Sequence, residues 1–194
     1  MPKKPQKFQL TINLSVLNDL GINLYSNLPA VISEIVANSW DADAENVNIQ
    51  LEKSGLKMII TDDGCGMNYS DINDKYLHVG YKRREAGLDV TPKHKRNVMG
   101  RKGIGKLSLF SIANTIKVES VVRSKSKLIE KNGLILKGTD IEKSIKKNEP
   151  SYTPKVLNQN QITITKGTKI TLSDMRKPII GNGKISKKTI GSEI

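Results

Sequence analysis

The chain has 194 residues and contains 32 Lys+Arg against 19 Asp+Glu, so its formal net charge is +13. Hydrophobic residues at 37% and charged residues at 26% are close to globular averages, which excludes a collagenous, coiled-coil or wholly disordered chain. One cysteine excludes an intramolecular disulfide, and no apolar run approaches the roughly 18 residues of a membrane helix, so we expect a cytoplasmic protein with no membrane partner.

The positive charge is concentrated in the second part of the chain. Residues 1–122 hold 16 basic and 13 acidic side chains (net +3), whereas residues 123–194 hold 16 basic and 6 acidic side chains (net +10). A basic surface attracts nucleic acid or an acidic protein partner through long-range electrostatics. A lysine-rich surface that only aids solubility would give the same count, and an aromatic content of 4% leaves few platforms for stacking bases.

Apolar periodicity predicts the elements of the first half of the chain. Alternating apolar residues predict strands at 8–14, 45–53 and 56–62, of which the last two form a hairpin, and helical spacing predicts a helix over 26–40. The polar, basic stretch 68–99, with one short helix at about 72–79, is longer than a simple connection and is typical of a functional loop.

The second half begins with a glycine-rich turn that opens an apolar helix over 100–113. A strand follows over 115–122, then hairpin strands and loops in 124–160, and two strands around Lys166-Gly167. The order of elements predicts an α/β (α+β) two-layer sandwich, a mixed but mostly antiparallel sheet with helices on one face.

Three polar residues share one face of the predicted helix. Glu34, Asn38 and Asp41 lie within roughly 60° of one another at about 100° per residue, while the apolar residues of the helix lie elsewhere. Such a stripe presents two carboxylates and an amide to a ligand, although an ordinary solvated helix face looks the same.

A second constellation follows the apolar strand that ends at Asp62. Gly64 and Gly66 permit positive φ and close backbone approach to a flat ligand, and Asp62 is placed to accept from an exocyclic amine. The alternative is a plain tight turn, because Asp-Gly is a common turn dipeptide.

The glycine-rich turn GRKGIGK, residues 100–106, is suited to bind an anion. Glycines at a helix start leave backbone N–H groups free to bind phosphate. It is not a P-loop, because Leu107 stands where Ser or Thr should bind magnesium, and it is not a dinucleotide fingerprint, because Ser108 replaces the third glycine.

Together these motifs resemble the GHKL ATPases, the superfamily of gyrase, the ninety-kilodalton heat-shock chaperones, histidine kinases and MutL, which shares the Bergerat nucleotide-binding fold. Four motifs carry the resemblance in the family's order over about residues 28–175. They are Glu34-x-x-x-Asn38-Ser-x-Asp41-Ala, Asp62-x-Gly64-x-Gly66-Met67, Gly100-x-x-Gly103-x-Gly105 and Gly167-Thr168-Lys-Ile-x-Leu. The pattern Asn-Ser-x-Asp-Ala is closer to the MutL, MORC and chaperone branch than to histidine kinases.

The resemblance implies a role for each motif. Glu34 would be the general base that activates water, Asn38 the protein ligand of Mg²⁺, and Asp62 the partner of the adenine amino group, with help from Thr168. The remaining residues implied to line the ATP site are Asp41, Gly64, Gly66, Met67, Gly100, Lys102, Gly103, Ile104, Gly105 and Lys106. Residues 68–99 would form a lid over ATP.

The resemblance also implies the activity and its setting. We expect Mg-dependent ATP hydrolysis, slow in the isolated domain, that closes the lid and drives homodimerisation or a conformational change in a larger, DNA-associated or defence protein. The alternatives are an ATP/ADP-binding regulatory module without turnover and a chaperone-type ATPase; the retained Glu34 disfavours a histidine-kinase-like phosphotransferase. Residues 1–175 would be the ATP-binding domain, and 176–194 an extension or the start of a following domain.

Overall fold

A computed structural model describes residues 10–11, 28–78, 89–100, 108–123 and 129–176. The described strands are β1 (Leu10–Thr11), β2 (Val47–Leu51), β3 (Met58–Asp62), β4 (Ala113–Arg123), β5 (Ile129–Lys137), β6 (Ser151–Tyr152), β7 (Lys155–Val156) and β8 (Gly167–Met175). The described helices are α1 (Leu28–Asp41), a π-helix (Asp71–Tyr76), α2 (Leu109–Ile112), α3 (Gly138–Lys146) and a 3₁₀ turn (Gln159–Gln161).

Six of these strands form one sheet in the order β2-β3-β8-β4-β5-β7. Every neighbouring pair in it is antiparallel, and β1 pairs with β6 in a separate two-stranded sheet. The predicted α/β class with a mostly antiparallel sheet is therefore confirmed. The predicted hairpin is also confirmed, since β2 and β3 pair from Val47↔Asp62 to Leu51↔Met58.

One apolar cluster joins the helices to a single face of the sheet. Ile60, Ile170, Val118 and Leu134 lie in register across β3, β8, β4 and β5, and all four belong to this cluster. The helices contribute Val31 and Ile35 of α1, Ile72 of the π-helix, Leu109 and Phe110 of α2, and Ile141 of α3. Because side chains alternate along a strand, the residues between these sheet positions face the other way.

Residues 157–165, which we call the back strap, contact the opposite face of the sheet at β4 and β5. Leu157 donates its N–H to the Gly133 carbonyl on β5 at 2.9 Å. Thr163 donates its N–H to Glu119 Oε2 on β4 at 2.6 Å, and its hydroxyl lies 2.9 Å from the same oxygen. Glu119 is only 1% exposed, so its carboxylate ties the strap to the sheet from inside.

The strap corrects one prediction. Two strands were expected around Lys166-Gly167, but only the second, β8, exists; residues 162–166 form no strand. The apolar-polar alternation of this stretch has another cause. Ile162 is buried, and the backbone N–H of Thr163 goes to the Glu119 side chain in place of a neighbouring strand.

Other boundaries differ from the predictions. The helix predicted over 26–40 is confirmed as α1, whereas the strand predicted over 8–14 is described only at Leu10–Thr11. The short helix expected near 72–79 is the π-helix Asp71–Tyr76. The strand predicted over 115–122 is β4, which is longer at both ends (Ala113–Arg123). Region 124–160, expected to hold only strands and loops, contains α3, whose sequence has few apolar residues to reveal it.

In the part of the chain that the structure describes, no helix is long and apolar enough to cross a membrane.

Candidate functional site

A row of polar residues ends the apolar face of the sheet. Asp62 pairs with Thr168, Thr168 with Ser120, and Ser120 with Asn132, so the row crosses β3, β8, β4 and β5. On each strand, the residues two and four positions from this row in the direction of the core lie on the same face and are apolar. The first of them form the neighbouring row of Ile60, Ile170, Val118 and Leu134. The end of the sheet is therefore a polar floor beside an apolar core.

Asp62 is the charged member of the row. Its Oδ1 accepts hydrogen bonds from the N–H groups of Gly64 (3.0 Å) and Thr168 (3.1 Å), and its Oδ2 accepts one from the Ser39 hydroxyl (3.1 Å). Burial raises the pKa of the Asp62 carboxyl above its usual value, although these three hydrogen bonds oppose the change. The side chain is thus an oriented acceptor in a poorly solvated place.

Glycine is required at three positions around Asp62. Gly66 has φ +69°, and a Cβ there would collide with the Val121 carbonyl on β4. Gly167 has φ +74°, and its Cβ would collide with the carbonyl of Asp62 itself. At Gly64 a Cβ would lie 2.7 Å from the Ala42 carbonyl, next to the end of α1. The backbone therefore packs too closely here for any side chain.

Helix α1 borders the same site. Ser39 contacts Asp62, and the N–H of Cys65 donates to the Ala42 carbonyl at 2.8 Å, which joins the loop after β3 to the end of the helix. Glu34 is partly buried and Asn38 is exposed, and they lie on one helix face because they are four residues apart. A carboxylate and an amide are thereby presented on a rigid element.

Asp41 is buried at the end of α1, with 5% exposure. Its Oδ1 accepts a hydrogen bond from the N–H of Met99 (2.8 Å) and its Oδ2 accepts one from the N–H of Gly100 (3.0 Å). The structure therefore places Asp41 against the start of the glycine-rich turn. Lys102, Gly103, Ile104, Gly105 and Lys106 lie outside the described residues.

The predicted lid has two described parts, and both contact the body of the domain. Just before its start, Met67 donates its N–H to Ser120 Oγ at 2.7 Å, and within it Tyr69 donates its N–H to Glu130 Oε1 at 2.7 Å. At its end, Asp43 accepts hydrogen bonds from the N–H groups of Lys93 (2.8 Å) and His94 (3.1 Å). Residues 79–88 of the predicted lid lie outside the described residues.

Sequence reasoning did not single out Ser39, Ser120 or Asn132. Ser39 could have been found, because it lies inside the helix motif beside Asn38. Ser120 and Asn132 are polar residues within apolar strands, and only the strand register shows that they continue the row of Asp62. Asn132 Oδ1 is a buried acceptor with no hydrogen-bond partner among the described groups, which suits a bound water.

Metal binding at this site would depend on few protein ligands. Among the described residues, no cluster of three or more His, Cys, Asp or Glu side chains could hold a metal ion. The exposed amide of Asn38 provides an oxygen donor of the kind Mg²⁺ prefers, and Mg²⁺ commonly keeps waters and phosphate oxygens as its other ligands. The donor set fits Mg²⁺ that enters with a phosphorylated ligand.

Comparison with known families gives one match over this region. The model described as "Histidine kinase-, DNA gyrase B-, and HSP90-like ATPase" matches residues 25–168, which include α1, the loop after Asp62, the glycine-rich turn and Thr168. The match thus contains every residue that the polar floor and the helix face bring together.

Individual relatives cover the same region. A candidate type II restriction enzyme, HgiDII, from Herpetosiphon aurantiacus is 37% identical over 94% of this chain and 28% of its own length. The DNA mismatch repair protein MutL of Carboxydothermus hydrogenoformans is 28% identical over 75% of this chain and 22% of its own length. The chaperone protein HtpG of Ruthia magnifica subsp. Calyptogena magnifica is 29% identical over 77% of this chain and 30% of its own length. The chain thus spans less than a third of each of these relatives.

Proposed function

This chain belongs to the family of histidine kinase-, DNA gyrase B- and HSP90-like ATPases, and from that premise we propose that it binds ATP with Mg²⁺ and hydrolyses it to ADP and phosphate. The observation that carries the proposal is the environment of Asp62. A carboxylate held by three hydrogen bonds at the edge of an apolar core is an acceptor for the exocyclic amine of adenine. Gly64 and Gly66 let the backbone beside Asp62 pack closely against the carbonyls of Ala42 and Val121.

The phosphate end of the ligand would lie along α1. Glu34 accepts a proton from the attacking water, which suits a carboxylate fixed on a helix. Asn38 would contribute one oxygen ligand to Mg²⁺, which when bound would supply positive charge against the phosphates. The backbone N–H groups of the glycine-rich turn, which starts at Gly100, bind the phosphate oxygens.

The domain would work within a larger protein. The relatives are more than three times as long as the part they share with this chain, and two of them are named as a restriction enzyme and a mismatch repair protein. ATP binding would close the lid over the nucleotide and drive homodimerisation or another conformational change. The net charge of +10 in residues 123–194 supports a DNA-associated role over a chaperone role.

The base is tested with Glu34→Ala. We expect ATP turnover to fall by about 100-fold or more because no group remains to take the proton of the attacking water. ATP binding should persist, because the adenine partners on β3 and β8 are unchanged. Steady-state phosphate release gives the turnover, and calorimetric titration with Mg-ATP gives the affinity.

Glu142→Ala is the matched control, since Glu142 is a partly exposed carboxylate on α3, and it should leave both quantities unchanged. Parental turnover in Glu34→Ala would show that another group is the base. ATP binding by the parent without any turnover would support instead a regulatory module that holds ATP or ADP.

A further inference from the structure

Residues 64–69, which we call the exit segment, lie between β3 and the π-helix, and side chains of the sheet hold their backbone. The N–H of Met67 donates to Ser120 Oγ on β4 at 2.7 Å. The N–H of Tyr69 donates to Glu130 Oε1 on β5, also at 2.7 Å. Two neighbouring strands therefore fix the path of the chain as it leaves β3.

One oxygen of Glu130 serves two donors. Oε1 accepts the N–H of Tyr69 and, at 2.8 Å, the side-chain NH₂ of Asn132 on the same strand. That NH₂ group also lies 3.5 Å from the Met67 carbonyl oxygen. Asn132 is in turn the register partner of Ser120. Glu130, Asn132 and Ser120 are thus one connected group, which we call the clamp, against the backbone of the exit segment.

The clamp is largely closed to solvent. Ser120 is 0% exposed and Asn132 is 3% exposed, while Glu130 is half-buried. Hydrogen bonds in such a place are costly to lose, because water cannot readily replace the missing partner. The side chains of Met67 and Tyr69 also pack against the apolar cluster of the core. The clamp therefore belongs to the interior of the domain and constrains the exit segment to one path.

The clamp is linked to both backbone N–H groups that donate to Asp62. Gly64, the first residue of the exit segment, donates its N–H to Asp62 Oδ1. Thr168 donates to the same oxygen and pairs in register with Ser120. Ser120 Oγ also lies 3.5 Å from the carbonyl oxygen of Gly167, the residue before Thr168. A shift of the exit segment would therefore move a donor of Asp62 and change the direction in which its carboxylate accepts.

We propose that Glu130 is a positioning residue for the base site: with Ser120 and Asn132 it fixes the exit segment, which orients Asp62, and it does not touch the nucleotide. This inference rests on the proposed function, in which Asp62 accepts the exocyclic amine of adenine. The relevant property of Glu130 is the one oxygen that two donors share, and not its negative charge. The clamp is therefore a determinant of the affinity for the base, which adenosine and ATP have in common.

Two variants of Glu130 separate the acceptor from the charge. Glu130→Ala removes the oxygen that Tyr69 and Asn132 share, so we expect the Kd of adenosine and the Kd of Mg-ATP each to rise about tenfold, within the range for buried donors that lose their acceptor. Glu130→Gln can still present its amide oxygen to both donors, and it should keep both Kd values within about twofold of the parent. Ligand-observed NMR measures adenosine binding, and calorimetric titration measures Mg-ATP binding.

Asn114→Ala is the matched control. Asn114 Oδ1 accepts the N–H of Thr139 at 3.0 Å, which holds the start of α3 to the start of β4, away from Ser120. Thermal unfolding shows how much stability each variant loses, and at similar losses only Glu130→Ala should weaken adenosine binding. Should Glu130→Ala fail to fold, Ser120→Ala tests the same segment, because it removes the acceptor of the Met67 N–H.

Three results would overturn the inference. Unchanged adenosine affinity in Glu130→Ala and Ser120→Ala would mean that the exit segment keeps its path without the clamp. Equal weakening by Asn114→Ala at an equal loss of stability would mean that the base site responds to any loosening of the fold. If Glu130→Gln bound as poorly as Glu130→Ala, the charge and not the shared oxygen would be what matters. Failure of the proposed function is distinguishable from all three, because the parent protein would then bind neither adenosine nor Mg-ATP.

Discussion

At the scale of single residues, Asp62 shows a conflict between stability and binding. Burial raises the pKa of its carboxyl, so the ionised form is less favourable in the folded chain than in the unfolded one. A carboxyl with a raised folded-state pKa stabilises the fold only at low pH, and that contribution is lost as the pH rises through the folded-state pKa. Near neutral pH the charge of Asp62 therefore costs stability, and the proposed adenine site is the physical reason to retain it.

Replacement of Asp62 by asparagine tests this conflict. The amide side chain would keep an acceptor for the N–H groups of Gly64 and Thr168, would donate to the Ser39 hydroxyl, and would carry no buried charge. We expect Asp62→Asn to unfold in urea at pH 7 with a free energy equal to or above that of the parent. Its affinity for ATP should fall by about tenfold or more, because an amide donor would face the adenine amine.

The neighbouring residue provides the control for that experiment. Asp63 accepts hydrogen bonds from the N–H and side chain of Asn46 and from the N–H of Glu45, which lower its pKa to about 2. Asp63→Asn should therefore lose stability under the conditions in which Asp62→Asn does not. A less stable Asp62→Asn protein that still bound ATP like the parent would contradict both parts of the interpretation.

At the scale of elements, the back strap is held by a buried charge in place of strand pairing. Glu119 Oε1 lies 2.9 Å from Lys117 Nζ and 3.9 Å from Lys169 Nζ, while Oε2 accepts both hydrogen bonds from Thr163. Burial raises the pKa of the Glu119 carboxyl, but the hydrogen bonds from Thr163 and Lys117 outweigh it and hold the pKa below its usual value. This carboxylate is satisfied on every side, and it gives the strap its position.

We therefore expect Glu119→Gln to destabilise the fold by about 3 kcal/mol, because two ammonium groups lose their counter-charge and one acceptor becomes a donor. Urea unfolding followed by circular dichroism measures the change. Glu149→Gln, at an exposed position beyond α3, should change the unfolding free energy by no more than about 0.5 kcal/mol. A loss below about 1 kcal/mol at Glu119 would show that the apolar contacts of Leu157 and Ile162 hold the strap without the charge.

At the scale of the whole molecule, carboxylates join segments that are distant in sequence. Asp43 holds the backbone at Lys93 and His94, Asp63 holds the turn before β2, and Glu119 holds the back strap. At Asp43, burial raises the pKa of the carboxyl, but hydrogen bonds from Thr91, Lys93 and His94 outweigh it and lower the pKa. All three groups therefore have pKa values below their unfolded-state values of 3.8 for Asp and 4.5 for Glu.

The molecule should lose stability in acid for this reason. A group with a depressed folded-state pKa contributes stability above its unfolded-state pKa and loses it as the pH falls through the folded-state pKa. We expect the free energy of unfolding to fall steadily from about pH 5 to about pH 2, with Asp62 acting in the opposite direction. Urea unfolding at stepped pH measures the slope, and Asp63→Asn should flatten its most acidic part. Constant stability across this range would contradict the assignment.

Elements whose apolar pattern lies within one short segment were predicted correctly, whereas features that depend on contacts between distant segments were not. Helix α1 and the β2–β3 hairpin were predicted correctly, because their apolar periods are complete within a few turns or residue pairs. Helix α3 was not predicted, since Ile141 and Ile145 are its only large apolar residues and it begins at a glycine. In the segment 161–165 the alternation was real, but the partner of Thr163 is a side chain on another strand.

The sequence by itself determined the family and the order of the motifs, because these depend on residue type and spacing along the chain. It also predicted Glu34, Asn38, Asp62 and Thr168 as site residues. Only the tertiary structure decided that Ser120 and Asn132 continue the row of Asp62, and that Asp41 holds Gly100. Those facts depend on strand register and on hydrogen bonds between residues as far apart as Asp41 and Gly100, which are separated by 59 positions. Local periodicity carries no information at that range, because the contact exists only after the core has brought the two segments together.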